Sequence, residues 1–134
     1  MASDRLWGNP DKKVILDSNA ILMLFEFSID LRSELTRLLG KYEVIIPEPI
    51  IDELTFLSEN GKGKQKMLSK ASLKLIKEYK IVKIEAKNPD ESVYLLAKKT
   101  NGVVVTNDVD LRKKLKKEKI PVIFLRAKKR LELN

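Results

Sequence analysis

The chain has 134 residues and a formal net charge of +8, and it contains neither histidine nor cysteine. This length suits one domain, and 43% hydrophobic with 34% charged residues is the balance of a folded protein. The missing residue types exclude disulfides, thiol catalysis, His-ligated zinc and histidine acid–base chemistry. Any catalysis must therefore use carboxylates, hydroxyls, lysine, arginine, tyrosine or a bound cofactor.

The positive charge indicates a polyanionic partner, most often nucleic acid. A lysine-rich surface also serves solubility or heat resistance, so charge alone leaves both interpretations open. The longest apolar stretch, residues 20–25, is far below the roughly 20 residues that a membrane-spanning helix needs. Residues 1–13 lack the apolar core of a signal peptide. We therefore expect a cytoplasmic protein with no membrane segment.

Short apolar runs alternate with helix-like stretches along the chain. The predicted strands are 14–16, 44–46, 81–84, 103–105 and 120–125. The predicted helices are 19–27, 30–39, one opened by Pro47 and Pro49, 65–80, one begun at 88–90 and one begun at Asp108 or Asp110. This alternation predicts an α/β protein with a parallel sheet, and continuous apolar strands agree because such a sheet is covered on both faces. We expect one domain over 1–134, with a basic C-terminal extension from about 126 whose structure the sequence leaves open.

Acidic residues follow the first four predicted strands, where the functional crevice of a parallel sheet lies. They are Asp17, then Asp52 and Glu53, then Asp90 and Glu91, then Asp108 and Asp110. Taken alone, Asp90 and Asp108 are typical helix caps and Glu53 is typical of a solvated helix face. Asp17 differs, because it lies between an apolar strand and an apolar helix and so is expected to be partly buried.

The acids are more informative as a group. Several carboxylates converging on one edge would repel one another without a cation. Oxygen ligands without histidine or cysteine select magnesium or manganese rather than zinc. Carboxylate-bound magnesium beside a basic surface is the arrangement that phosphodiester hydrolysis uses, because the metal activates a water and neutralises phosphate charge.

Four segments resemble the acidic motifs of the PIN-domain ribonucleases, in the order of that family. They are Val-Ile-Leu-Asp-Ser-Asn-Ala-Ile-Leu (14–22), Pro-Ile-Ile-Asp-Glu-Leu (49–54), Asp-Glu-Ser-Val (90–93) and Val-Thr-Asn-Asp-Val-Asp-Leu-Arg (105–112). The ending Ile-Pro-Val-Ile-Phe-Leu-Arg (120–126) resembles the archaeal single-domain branch. That branch is similar to the PIN nuclease of the eukaryotic small-subunit processome and, more distantly, to the VapC toxins.

The resemblance implies a three-layer α/β/α sandwich with a mostly parallel sheet of about five strands. It implies a metal-dependent endoribonuclease, with a possible role in ribosomal RNA processing, that uses Mg²⁺ or Mn²⁺. The implied catalytic ligands are Asp17, Glu53, Asp90 and Asp108, with Asp110 as an accessory acid. Asn19, Thr106 and Asn107 would support them, Thr106 or Asn107 by hydrogen bonding to the ligands or to metal-bound water. Asp90 is chosen over the adjacent Glu91 because it opens the Asp-x-x-apolar spacing.

Positive charge concentrates in residues 62–80 and 112–130. Most of these lysines suit solvated helix faces, but part of each run is expected to flank the acids and follow an RNA backbone. Arg112 comes one helical turn after Asp108, and two lysines lie in a glycine loop. The candidate RNA contacts are Lys62, Lys64, Arg112, Lys113, Lys116 and Arg126. Few aromatic residues are present, which favours backbone contact over base reading.

Two other functions remain open at this point. One is a non-catalytic RNA-binding or ribosome-assembly factor that keeps the fold and uses its acids structurally. The other is the toxin of a toxin–antitoxin pair, whose partner would be a small antitoxin protein. The resemblance also implies a possible homodimer.

Overall fold

The computed structural model describes residues 11–134 and contains one six-stranded sheet. The strands are β1 (Lys12–Leu16), β2 (Tyr42–Pro47), β3 (Lys80–Val82), β4 (Val103–Val105), β5 (Val122–Arg126) and β6 (Arg130–Leu133). The helices are α1 (Ser18–Glu26), α2 (Leu31–Leu39), α3 (Glu48–Asn60), α4 (Gly63–Leu75), α5 (Pro89–Thr100) and α6 (Val109–Lys117), with a 3₁₀ turn at Ile76–Glu78. No helix in this described part has the length and apolar character to cross a membrane.

The sheet is parallel except at one edge. Its strand order is β3-β2-β1-β4-β5-β6, and only β6 runs antiparallel to its neighbour. The central strands are buried on both faces, since Val14, Ile15 and Leu16 of β1 are each at most 1% exposed. This burial requires helices on both sides of the sheet and confirms the three-layer α/β/α sandwich.

The register of the parallel strands brings the predicted acids to one edge. Leu16, the last residue of β1, pairs with Val105, the last residue of β4. The residues that follow these two strands, Asp17 and Thr106, therefore leave the sheet side by side. β2 ends at the same edge and leads directly into α3. The carboxyl edge of the sheet thus collects three of the segments that carry acidic motifs.

The C-terminal tail adds a sixth strand, where the sequence predicted about five. Ala127 and Lys128 have φ values of 55° and 57°, the two consecutive positive values of a type I′ hairpin turn. The chain then returns as β6, and Leu131 is fully buried. Its backbone N–H donates to the Glu34 carboxylate, and its C=O accepts from Arg37. These bonds satisfy backbone groups on the open side of this edge strand.

Two predicted boundaries also shift. The helix predicted over 65–80 ends at Leu75, because the chain tightens into the 3₁₀ turn and then extends to pair with β2 from Lys80 onward. β3 stops at Val82, whose partner Pro47 is the last residue of β2. The strand predicted at 120–125 begins instead at Val122, because the Ile120 N–H still donates to the carbonyl of Leu115 in α6.

Candidate active site

Asp17 is the buried centre of the acidic edge. It follows β1, caps α1 by accepting from the Ala20 N–H at 2.7 Å, and is only 3% exposed. Its other oxygen accepts a hydrogen bond from the Thr106 hydroxyl at 2.5 Å. The pKa of Asp17 is raised to about 6, chiefly by burial and also by the negative charges of Asp90 and Asp108, although these two hydrogen bonds act to lower it. The sequence prediction that Asp17 is buried and partnered is thus confirmed.

Thr106 links two of the acids. It follows β4, is fully buried, and donates to Asp17 while its oxygen accepts from the Asp108 N–H at 3.1 Å. Asp108 in turn caps α6, since one of its oxygens accepts from the Leu111 N–H at 3.0 Å. Among residues 11–134 no hydrogen bond reaches the second Asp108 oxygen. That oxygen is available to a ligand.

Glu53 reaches the same edge from α3. The Ser18 hydroxyl, next to Asp17, donates to the Glu53 carboxylate at 2.5 Å. The sequence analysis missed Ser18, although it lies inside the first motif. Its partner is 35 positions away, and nothing in the local pattern indicates the contact.

Asp90 and Glu91 open α5 in different environments. Asn88 caps the helix through the Glu91 N–H, and the Glu91 carboxylate accepts from the Lys87 N–H at 2.8 Å. Glu91 is thereby engaged in a capping interaction at the helix start. The pKa of Asp90 is raised by partial desolvation and by the charges of Asp108 and Glu53. This geometry supports the choice of Asp90.

Part of this group of acids borders a cleft of about 420 Å³, which we call the acidic cleft. Its walls include Glu53, Asp90, Glu91, Asp110 and Lys114. Asp17 and Asp108 do not line it, but their charges act on the same group of carboxyls. Asp110, the predicted accessory acid, is exposed in the first turn of α6.

The donor set fits a hard, partly hydrated cation. Within the described residues, no three carboxylates are already close enough to share one ion. Magnesium usually keeps several waters and uses only one or two carboxylates, so this spacing suits it. All the side-chain donors are oxygens, and a cation would relieve the mutual repulsion that, after burial, raises the pKa of Asp17 and Asp90.

Among residues 11–134, Lys114 is the basic residue that lines the acidic cleft. Its ammonium lies 4.8 Å from the centre of the Tyr94 ring, and its charge opposes the rise in the pKa of Asp90. The Tyr94 hydroxyl and Lys98 both contact Glu118, which fixes the ring between α5 and α6. The sequence analysis placed Lys114 in a lysine run without singling it out. Its spacing of four residues from Asp110 was the available signal.

Among the described residues, neither predicted supporting amide hydrogen-bonds to one of the acids. Asn19 is exposed in the first turn of α1. Asn107 donates to the Leu125 carbonyl and accepts from the Leu125 N–H, so it joins the end of β4 to β5. Of the two alternatives for a ligand contact, Thr106 is the one that hydrogen-bonds an acid in this structure.

The predicted RNA contacts fall into two regions. Lys62 is exposed in the α3–α4 connection, and Lys64 is exposed in the first turn of α4, where it pairs with Glu26 of α1. Arg112, Lys113 and Lys116 line a second groove, on the flank of α6 away from the acidic cleft.

Arg126 ends β5 and pairs with Glu132 of β6. Arg112 lines the second groove and not the acidic cleft, and its contact with RNA stays a prediction.

Known proteins resemble this chain along most of its length. Ribonuclease VapC4 of Methanocaldococcus jannaschii is 38% identical over 125 residues, covering 90% of this chain and 95% of that protein. Ribonuclease VapC9 of Archaeoglobus fulgidus is 29% identical over 131 residues, covering 98% and 96%.

The structure of the PIN domain endonuclease Utp24 matches the fold with a TM-score of 0.73 at 18% identity, covering 91% of this chain and 90% of that one. The sequence model of the PIN like domain matches residues 14–128. The chain therefore belongs to the PIN-like domain family.

Proposed function

We propose that this chain is a metal-dependent endoribonuclease that hydrolyses RNA phosphodiester bonds at the acidic cleft. The observation that carries the proposal is the convergence of Asp17, Glu53, Asp90 and Asp108 from four separate segments on the carboxyl edge of one sheet. The similarity to two archaeal ribonucleases supports it.

One or two of the four acids would hold Mg²⁺ or Mn²⁺ directly and the others through bound water, with Asp110 at the rim. When bound, such an ion supplies positive charge to the phosphate and a water of lowered pKa. Thr106 holds Asp17 and Asp108 in a fixed relation, and Ser18 holds Glu53. This network positions the carboxylates before substrate arrives, as metal-site hydrogen bonds generally do.

Lys114 supplies the complementary charge for the substrate. It is the cation on the wall of the acidic cleft, and the Tyr94 ring holds it there. A phosphate entering the cleft would find Lys114 on one side and the ion-binding carboxylates on the other. The charge of Lys114 would then oppose the negative charge that accumulates on the phosphate during attack.

The proposal is tested by neutralising two acids without removing their helix caps. Asn is as good a cap as Asp, so Asp17→Asn and Asp108→Asn preserve the caps of α1 and α6. With a fluorescent single-stranded RNA and Mn²⁺ or Mg²⁺, we expect each to lower cleavage by more than roughly 100-fold. EDTA should abolish wild-type cleavage.

Asp52→Asn is the matched control, because Asp52 is exposed on α3 next to Glu53. We expect its cleavage rate to stay within about twofold of wild type, as for a surface substitution.

Unchanged cleavage by both Asp17→Asn and Asp108→Asn would refute the metal-hydrolase assignment. Wild-type RNA binding without cleavage at any metal concentration would favour the non-catalytic RNA-binding or assembly factor. A transcript of a ribosomal RNA precursor, offered alongside unstructured RNA, tests a role in ribosomal RNA processing.

A toxin role is the second candidate, favoured by the 38% identity to Ribonuclease VapC4. Expression of the wild-type protein in the cytoplasm would then arrest cell growth, whereas expression of Asp108→Asn would not. Co-expression of a small protein partner would relieve the arrest. Sizing by light scattering would show whether the chain forms the homodimer that the family resemblance implies.

A further inference from the structure

Helix α6 separates the acidic cleft from a second cavity. Asp110 and Lys114, four residues apart, face the cleft. Val109, Arg112 and Lys116, at spacings of three and four, face the opposite flank. At 3.6 residues per turn these two sets lie on different sides of one helix. The second cavity has a volume of about 290 Å³, and we call it the basic groove.

The basic groove has an apolar floor and a cationic rim. Ile120 and Val122 are at least 90% buried beneath it, whereas Val109 is 59% exposed. Arg112, Lys113 and Lys116 stand along the rim, the polar residue Asn134 also lines the groove, and none of the described side chains that line it is acidic. A ligand that fits must therefore combine negative charge with a flat or apolar group.

The guanidinium of Arg112 is held in place by an aromatic ring. It lies 4.5 Å from the centre of Phe124, and the guanidinium of Arg126 lies 5.5 Å from the same ring. Val122, Phe124 and Arg126 alternate along β5 and so share one face of the strand. Since β5 is parallel to β4, Arg126 lies at the carboxyl edge that carries the acids. The row of cations thus leads from the basic groove to the edge of the acidic site.

We propose that the basic groove binds one unpaired nucleotide of single-stranded RNA, outside the position where the chain is cut. The base lies on Val109, Ile120 and Val122, and its phosphates contact Arg112 and Lys116. The strand then continues past Arg126 toward the acidic edge. This rests on the proposed ribonuclease function and adds a preference for unpaired RNA, because a base inside a duplex is stacked and cannot reach the floor. It also replaces the expectation of pure backbone contact with one base contact.

The test measures binding rather than cleavage. Wild-type protein in EDTA is titrated into three labelled ligands of equal length: single-stranded RNA, the same backbone without bases, and duplex RNA. Fluorescence anisotropy should show single-stranded RNA binding more tightly than the other two. Val109→Ser should weaken its binding about fivefold, as expected for losing contact with one or two methyl groups, and leave the base-free strand unchanged.

Lys116→Met should weaken binding of single-stranded RNA and of the base-free strand alike. It should also reduce the slope of log K against log salt by about 0.7, the value for one lost phosphate contact on a single strand. Ile81→Ser is the matched apolar control, since Ile81 is exposed on β3 at the far edge of the sheet. Lys117→Met is the matched charge control, because Lys117 is exposed on α6 outside the groove lining. Both controls should bind single-stranded RNA like wild type.

Three results would overturn the proposal. The first is that single-stranded RNA and the base-free strand bind equally well. The second is that Val109→Ser weakens the binding of these two ligands equally. The third is that polyglutamate, at matched charge and salt, displaces the RNA. The last would identify an acidic protein surface as the ligand. Because EDTA removes cleavage from the measurement, these results leave the acidic cleft untested, and failure of the Asp108→Asn cleavage test leaves the basic groove standing.

Discussion

The two flanks of α6 carry opposite charges and hold them in different ways. On the acidic flank, Asp17 accepts two hydrogen bonds and Asp108 caps the helix. On the basic flank, Arg112 lies against a ring and Lys116 is exposed. The difference follows from the ligands: an ion needs carboxylates at fixed positions, whereas a flexible phosphate chain tolerates mobile cations. The acidic flank should therefore be sensitive to small changes in hydrogen bonding, and the basic flank mainly to loss of charge.

The largest expected effect concerns the stability cost of Asp17. Because its folded pKa of about 6 exceeds the ordinary aspartate value of 3.8, the folded protein holds this proton more tightly than the unfolded chain. Its contribution to the free energy of unfolding is full below about pH 3.8 and is lost as pH rises through 6. The loss amounts to about 3 kcal/mol. Urea unfolding of metal-free wild type and Asp17→Asn from pH 4 to 7.5 should show wild type losing stability relative to the variant.

Glu34→Gln is a control for which the pH dependence of stability should have the opposite sign. Hydrogen bonds from Arg37 and the Leu131 N–H lower the pKa of Glu34. Wild type should therefore gain stability relative to Glu34→Gln as pH rises from 4. A flat difference between wild type and Asp17→Asn over this range would show that Asp17 is not held in a desolvated state.

The next effect tests the hydrogen bonding that fixes the acidic flank. Thr106→Val keeps the shape of the side chain but removes its bonds to Asp17 and the Asp108 N–H. We expect cleavage to fall about 10- to 100-fold, with a comparable loss of Mn²⁺ affinity by calorimetry, as for other groups that orient metal ligands. The pKa of Asp17 should rise further, because the Thr106 bond lowers it. Thr55→Val, which removes a hydroxyl bonded only to the Ile51 carbonyl, should change neither quantity.

A smaller effect distinguishes Lys114 from the other lysines. Lys114→Met should lower cleavage about tenfold, because it removes the cation from the wall of the acidic cleft. Tyr94→Leu should lower it less, since the ammonium stays but loses its ring. Lys117→Met, three residues further along α6, should leave cleavage unchanged. If Lys117→Met and Lys114→Met were equally damaging, net charge rather than position would explain the result.

The acidic flank was largely predictable from the sequence, whereas for the basic flank the sequence indicated the cationic residues but not their separation from the acids. Apolar strands followed by acids determine where Asp17 and Asp108 lie, because parallel strands share their carboxyl edge. The contact of Ser18 with Glu53 joins two segments through tertiary packing, which no local pattern encodes.

Lys114 and Arg112 are two residues apart in one basic run. Which side of α6 each residue occupies depends on where the helix begins, and the Asp108 cap fixes that point. Lys114 therefore faces the acidic cleft, and Arg112 faces the basic groove. β6 was hidden because its turn, at Ala127 and Lys128, contains none of the Gly or Asn residues that mark type I′ hairpins.

That turn gives the smallest predicted effect. Ala127 has a φ of 55°, where an alanine side chain is strained and asparagine is tolerated. Ala127→Asn should stabilise the fold by a few tenths to about 1 kcal/mol, seen as a melting temperature higher by roughly 1–4 °C. Ala71→Asn, at an exposed position inside α4, should lower it instead, because asparagine is a poorer helix former than alanine.

Ala127→Asn should stabilise the β5–β6 hairpin without changing the acidic site. The β5–β6 hairpin carries Phe124 and Arg126 but none of the carboxylates of the acidic edge. A more stable hairpin should therefore leave the Mn²⁺ dependence of cleavage as it is in wild type. Altered metal dependence in Ala127→Asn would show that the hairpin and the acids are coupled across α6, and the two flanks would then have to be treated as one site.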